Sequence, residues 1–383
     1  MTEICYQLSS ITPYLDTVDN LKASFKKVAD MGYKYVQLQG ASLDIPDDEI
    51  KKALDENGLI CVATQEDYIL GFGDNPERYI KRAAAVGAKY LIFALLPFDI
   101  STVKQLEEYA EKVLVIKKMA NEAGLIFGFH PIGFDFRLLE GAPAYERFID
   151  MMPEDTQLTL CVQSTFGSPV DYREVLEKYG SRIDLMHFKD GIVIPEDESA
   201  HTEGDDDWLD IYETNIPAGV NNLAYVVNTH RIRNRHDLNS LIRKVMHCKK
   251  NIELSELTFA YHPSCTDYNE IDGVKILDLI MTELDSNAHI VLSDTAVIDA
   301  YYDELCRAYP GRVHVLRSNG QKLPAGFKVQ LTPLGEGAHY WGQIWKDSVN
   351  AGVKYVFTEQ ERWTRDAFDC AKASLDYIKE ITV

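Results

Sequence analysis

The chain has 383 residues and 46% hydrophobic side chains, enough to bury a large core and to carry a second unit, which excludes a disordered segment. Its formal net charge of −21 excludes a nucleic-acid or anionic-membrane surface, because both require clustered Lys and Arg. A neutral or cationic small ligand suits such a chain, although a local basic pocket could hold a phosphate. The seven cysteines include no C-x-x-C pair and read as small buried hydrophobes in a reducing compartment without disulfides. The opening MTEICYQLSS lacks a basic n-region and a long apolar run, and no run is long enough to span a bilayer, so the cytoplasm is the expected location.

In chain order one unit repeats: an amphipathic helix, a glycine, then an apolar β-rich run. It is seen at Gly32, Gly58, Gly87, Gly124, Gly180 and Gly352, where glycine suits the left-handed position that ends a helix. Strands are expected near Cys5–Ser9, Tyr35–Leu38, Ile60–Ala63, Tyr90–Leu95, Ile126–His130, Leu158–Val162, Asp184–Phe188 and Tyr355–Thr358. Helices are expected near Asp19–Met31, Asp47–Asn57, Pro76–Val86, Thr102–Ala123, Ala142–Met151, Tyr172–Tyr179, Tyr340–Asn350 and Arg365–Lys379. Eight such units predict an α/β fold, a (β/α)8 TIM barrel, with a doubly wound sheet as the alternative. No G-x-G-x-x-G follows a strand to support that alternative.

The period breaks after Asp190. Residues 191–218 read as an acidic linker, and 219–328 as a small α/β domain inserted after strand 7, so the barrel is 1–190 and 329–383. Within the insert, Leu223–Asn228, Leu257–Tyr261, His289–Leu292 and Arg312–Leu316 read as strands, and His236–Lys249, Val274–Asp285 and Val297–Ala308 as helices. Its strand–loop–helix pieces are loosely similar to nucleotide-sugar-binding glycosyltransferases, and His262 and Ser264 are the residues to watch there.

In such barrels the chemistry sits after the strand C-termini. Those ends offer Gln37 and Gln39, Gln65–Glu66–Asp67, His130 with Asp135, Cys161 with Gln163, His187 with Lys189 and Asp190, and Glu359–Gln360–Glu361. Imidazole, thiolate and carboxylate converging on one rim suit either a metal or acid–base catalysis. Glu359, at the end of an apolar run, is hard to bury without a partner and reads as a ligand or general base, with a salt bridge to Lys189 as the structural option. Lys189 suits an oxyanion. Trp341, Trp363 and Phe166 suit stacking on a sugar ring, or plain packing.

The stretches LKASFKKVADMGYKYVQLQG, FGFHPIGFDFRLLEG, LEKYGSRIDLMHFKDG and LTPLGEGAHYWGQIWKDSVNAGVKYVFTEQE carry a resemblance to the xylose-isomerase-like TIM-barrel superfamily of sugar isomerases and epimerases. The branch with inosose dehydratases and C-glycoside-deglycosidase large subunits is the most similar. That branch has YHNH-x-F-E-F on strand 5, where this chain reads Phe129–His130–Pro131–Ile132–Gly133–Phe134–Asp135–Phe136. Cys161 stands where the branch has a metal-binding Asp, and Gln65 where it has His. His187, Glu359 and the Gly335–Glu336–Gly337 turn are retained.

The resemblance implies a divalent metal held by Asp135, Cys161, His187 and Glu359. With a thiolate in the set, zinc is favoured over manganese, and a decayed, metal-free site is the alternative. It implies catalysis by Glu359, Lys189 and His130, and carbohydrate binding by Gln37, Gln65, Gln163, Trp341 and Trp363. The function expected is proton abstraction beside a carbonyl of a sugar or sugar conjugate. The alternative is a degenerate carbohydrate-binding or scaffold subunit. A homodimer is the assembly the resemblance implies.

Overall fold

The computed structural model describes residues 2–165, 170, 172–195, 327–337, 339 and 341–382, with short pieces at 209–212, 224–227, 257–261, 288–292, 307, 310 and 313–315. Eight strands build the barrel: β1 Glu3–Gln7, β2 Tyr35–Leu38, β3 Ile60–Asp67, β4 Tyr90–Ala94, β5 Ile126–His130, β6 Gln157–Cys161, β7 Leu185–Pro195 and β8 Tyr355–Glu359. Each pairs in parallel with the next. β8 pairs with β1, from Glu3↔Tyr355 to Tyr6↔Thr358, and closes the ring. The helices are α1 Val18–Met31, α2 Asp47–Glu56, α3 Pro76–Ala85, α4 Val103–Glu122, α5 Ala144–Met151, α6 Tyr172–Tyr179, α7 Trp341–Asn350 and α8 Ala367–Ile381.

The helix boundaries follow local chemistry. Thr17 caps α1 through the Asn20 amide, and Thr102 with Gln105 forms a capping box on α4. Asp366 receives the Phe368 and Asp369 amides at the start of α8. Gly32 closes α1 at φ 103°, where a Cβ would be strained. The apolar faces bury Leu21, Phe25 and Val28 of α1 and Phe148 and Ile149 of α5 against the outside of the barrel, each large side chain contributing roughly 1.5–3 kcal/mol.

Inside the barrel, side chains alternate along each strand, so every second residue points inward. Cys5, Ala63, Tyr90, Ile92, Leu185 and Phe357 form the apolar floor. Gly128 belongs to the same layer, and a Cβ there would press to 2.6 Å from Ile92 Cδ1. Two residues beyond the floor come Gln7, Gln65, His187 and Glu359. Two further come Ser9, Asp67, Lys189 and Glu361. This stepwise change from apolar to polar puts the charged groups at the C-terminal mouth.

Three boundaries differ from the sequence reading. β1 ends at Gln7 because Leu8–Tyr14 turns into a 3-10 helix, with the Gln7 side chain accepting the Ser9 amide. Gly180 is not a left-handed stop; it opens a 3-10 turn, Gly180–Arg182, in which Arg182 donates to the carbonyls of Ile149, Pro153 and Thr156. β7 runs on to Pro195 and pairs antiparallel with Phe327–Thr332, so 191–195 are strand where linker is expected.

Between them, Leu209–Tyr212 pairs with Ala224–Val227, and Leu257–Tyr261, Ala288–Leu292 and Val313–Val315 form a parallel sheet. The three helices expected in the insert, except Arg307, together with His262, Ser264 and Phe166, lie outside the described residues. Among the described residues no helix is long and apolar enough to cross a membrane.

Candidate functional site

Glu359 is the centre of the mouth. It ends β8, is 6% exposed, and stands in register with Lys189 on β7. Its Oε2 lies 3.1 Å from His187 Nδ1, its Oε1 is 3.7 Å from Lys189 Nζ, and Ser9 Oγ donates to Oε1 at 3.3 Å. Lys189 also pairs with Glu361 at 2.5 Å. Burial pulls the Lys189 ammonium down, but Glu359 and Glu361 outweigh it and hold the group above its ordinary range, so it stays charged. Burial, then Glu359, pushes the Glu361 carboxyl up against the pull of Lys189. Asp67 is raised as well, by burial and then by Glu361 and Glu359.

Behind this carboxylate group is a connected set of amides. Gln37 Oε1 accepts from His187 Nε2 at 2.7 Å and from Gln7 Nε2 at 3.1 Å. Gln7 also donates to Gln39, Gln37 donates to Gln65 at 3.4 Å, and Gln65 donates to Gln39 at 3.0 Å. Within this set the amide nitrogens of Gln7, Gln37 and Gln65 donate and the oxygens accept, and with Gln37 Oε1 as an acceptor the proton of His187 is assigned to Nε2. The His187 imidazole is held neutral, its pKa lowered to about 3 by burial and then by Lys189.

His130 is 3% exposed, and its ring lies 4.6 Å from that of His187. Both of its nitrogens are buried without a hydrogen-bond partner. Burial, then His187 and Lys189, keeps it neutral.

The other expected residues are placed differently. Cys161 stands opposite His187 across β6 and β7, but burial and then Glu359 push its thiol up to about 11, so it is not a thiolate. Asp135 does not join the mouth: its oxygens accept the Leu96 and Ile132 amides at 3.0 and 2.9 Å and tie together the loops after β4 and β5. Burial moves its pKa up to about 7 against those amides. Gln163 accepts from His339 at 3.0 Å.

Trp341 is fully buried and cannot stack on a ligand. Its indole donates to Asp190 at 2.7 Å and packs on Phe188. Trp363 is half-buried, donates to the Ser10 carbonyl at 2.8 Å and packs against Tyr14. Asp190 explains the Gly335–Glu336–Gly337 turn. Its carboxylate gathers the amides of Gly191, Gly335, Gly337 and His339 besides the Trp341 indole, and a Cβ at Gly337 would fall on it.

The four residues implied as metal ligands do not fit a divalent ion as arranged. His187 Nε2 is bonded to Gln37, and Asp135 is committed to the backbone amides of Leu96 and Ile132 away from the mouth. Among the described residues no group of three or more His, Cys, Asp or Glu side chains is placed to hold a metal. Gln7 and Ser9 join the mouth without having been singled out from sequence, and Gln39, Asp67 and Glu361, offered at the strand ends, join it without having been given a role there. The signal for them is the spacing of two along a strand: Gln7-x-Ser9, Gln37-x-Gln39, Gln65-x-Asp67, His187-x-Lys189 and Glu359-x-Glu361 share inward faces.

A closed eight-stranded barrel with its ionisable groups collected at the strand C-termini is the architecture of TIM-barrel enzymes. The sequence matches the family described as xylose isomerase-like TIM barrel over residues 25–214. Among solved structures, it is similar to a sugar phosphate isomerase/epimerase from Parabacteroides distasonis, with 18% identity over 51% of this chain and 78% of that one and a TM-score of 0.44. A 3-keto-D-glucoside 4-epimerase from E. coli is 16% identical over 49% and 78%, with a TM-score of 0.40. A xylose isomerase-like TIM barrel protein from Mycobacterium smegmatis, in complex with magnesium, is 9% identical over 99% and 95%, with a TM-score of 0.49. No curated protein matches the sequence.

Proposed function

We propose that this protein is a sugar isomerase or epimerase that moves a proton at the carbon beside a carbonyl, with Glu359 as the base. The observation that carries this is Glu359 beside Lys189 in register at the mouth, a carboxylate next to an ammonium kept charged. Glu359 takes the proton from the carbon. The C–H electron pair becomes the C=C bond of an enediol, and the carbonyl pair moves onto oxygen, where Lys189 stabilises it. Return of the proton to the neighbouring carbon, while the hydroxyl proton there passes to the enediolate oxygen, gives an isomer; protonation of the first carbon on its opposite face by water, with Glu359 giving up its proton to solvent, gives an epimer.

Ser9 holds the carboxylate in place through Oε1. His130, neutral and without a partner, is suited to receive a substrate hydroxyl. No step runs through a metal, and added zinc or manganese is predicted to leave turnover unchanged. The cytoplasm fits this reading, since Cys5, Cys61, Cys161 and Cys370 are free and buried.

The test is Glu359→Gln. The variant should bind sugar by calorimetry while kcat falls about 10²–10⁴-fold. Unchanged turnover would remove Glu359 from the mechanism. A second reading, a carbohydrate-binding subunit without turnover, is favoured by one feature: four glutamine amides bind one another behind the mouth, including Gln65 where the resemblance expects His. It predicts sugar binding with no turnover in the wild type.

A further inference from the structure

The mouth is short of positive charge. Glu359 and Glu361 share the single ammonium of Lys189. Asp67 ends β3, two residues past Gln65 of the amide set and within electrostatic reach of both glutamates, and among the described residues no Lys, Arg or His pairs with it. A second observation points to a ligand. Both nitrogens of buried His130, whose ring lies 4.6 Å from that of His187, lack a partner, as does Glu359 Oε2 on the other side of His187. A buried imidazole left without hydrogen bonds is costly unless something with hydroxyl or amino groups occupies the space beside it.

This step rests on the sugar chemistry proposed above. We propose that the mouth takes an unphosphorylated amino sugar, its ammonium held between Asp67 and Glu361, a hydroxyl on His130, and its reacting carbon over Glu359. The ammonium supplies the charge the site lacks. A phosphate in the same place would instead meet three carboxylates, and like charges brought together out of water repel strongly. The ammonium also leaves Glu359 free for the proton, because Asp67 and Glu361 carry the ionic contact.

The test is calorimetry on the full chain with two matched sets: glucose, glucosamine and glucose 6-phosphate, then galactose, galactosamine and galactose 6-phosphate. In at least one set the amino sugar should bind about tenfold tighter than its parent, and the phosphate weaker than the parent. Asp67→Asn and Glu361→Gln should each erase most of the ratio between amino sugar and parent, and 0.5 M sodium chloride should narrow it. Two variants at separate strands guard against one failing to fold. Equal binding of parent and amino sugar, or tightest binding of the phosphate, overturns the proposal and leaves the sugar reading standing. Displacement of the amino sugar by magnesium chloride, beyond that by sodium chloride at equal ionic strength, assigns the carboxylates to an inorganic cation and also overturns it. If no sugar in either set binds, the sugar reading falls and the proposal with it.

Discussion

Asp190→Asn removes no volume, yet it should unfold the mouth of the barrel at far lower temperature than the wild type. Asp190 Oδ2 accepts the amides of Gly335 and Gly337 at 3.0 and 3.1 Å and the Trp341 indole at 2.7 Å. Its Oδ1 accepts the amides of Gly191 and His339 at 2.9 and 3.3 Å. An asparagine keeps one oxygen, which the three-donor side will take. Its NH2 then faces two N–H groups, so two bonds to a charged acceptor are replaced by donor against donor. At roughly 1.5–3 kcal/mol for each such bond, the loss is about 3–6 kcal/mol. Domains have only about 5–15 kcal/mol in total. At roughly 2–4 °C per kcal/mol, the barrel transition should fall by about 6–24 °C. Calorimetry with near-UV circular dichroism reads the shift. A fall of less than about 2 °C would show that Asp190 does not hold the Gly335–Gly337 turn through its charge.

Cys5, Cys61 and Cys161 have thiols pushed up by burial, Cys61 and Cys161 to about 12 and about 11. Peptide mass spectrometry after iodoacetamide at pH 7.5 should find all three unmodified in the native chain and modified in urea; alkylation of native Cys161 would contradict its placement. His187, with its pKa lowered to about 3, favours protonation in the unfolded chain. Its contribution to stability is therefore present above about pH 6.5 and is lost as pH falls toward 3. The stability difference between the wild type and His187→Gln should shrink by about 1.4 kcal/mol per pH unit below about pH 6. A difference that stays constant or grows in acid would contradict a neutral buried imidazole.

The frame of the molecule was legible because one physical pattern repeats. Gly32, Gly58, Gly87, Gly124 and Gly352 all have positive φ, and each separates an amphipathic helix from an apolar strand, as the period predicts. Gly180 breaks that rule because the chain there enters the 3-10 turn Gly180–Arg182, closed by the Ile183 amide on the Gly180 carbonyl. The site was less legible. His187, Lys189, Glu359 and His130 gather as their strand-end positions imply.

Trp341 and Asp135 do not, because a side chain that looks available in sequence can be claimed by buried partners elsewhere in the fold. The indole belongs to Asp190, and the Asp135 carboxylate to the amides of Leu96 and Ile132. No local signal announces those pairings. Gln7 and Ser9 were hidden because Leu8–Tyr14 ends the first strand two residues earlier than its apolar pattern suggests.

The most direct measurement is proton exchange. Wild-type protein treated with chelator is incubated in heavy water with hexoses, hexosamines and keto-sugars, and the sugars are read by NMR for deuterium at the carbon beside the carbonyl. Glu359 as a base predicts deuterium there with the wild type and none with Glu359→Gln. Sugar that binds yet stays fully protonated with the wild type would contradict proton transfer at Glu359 and leave the barrel a binding module.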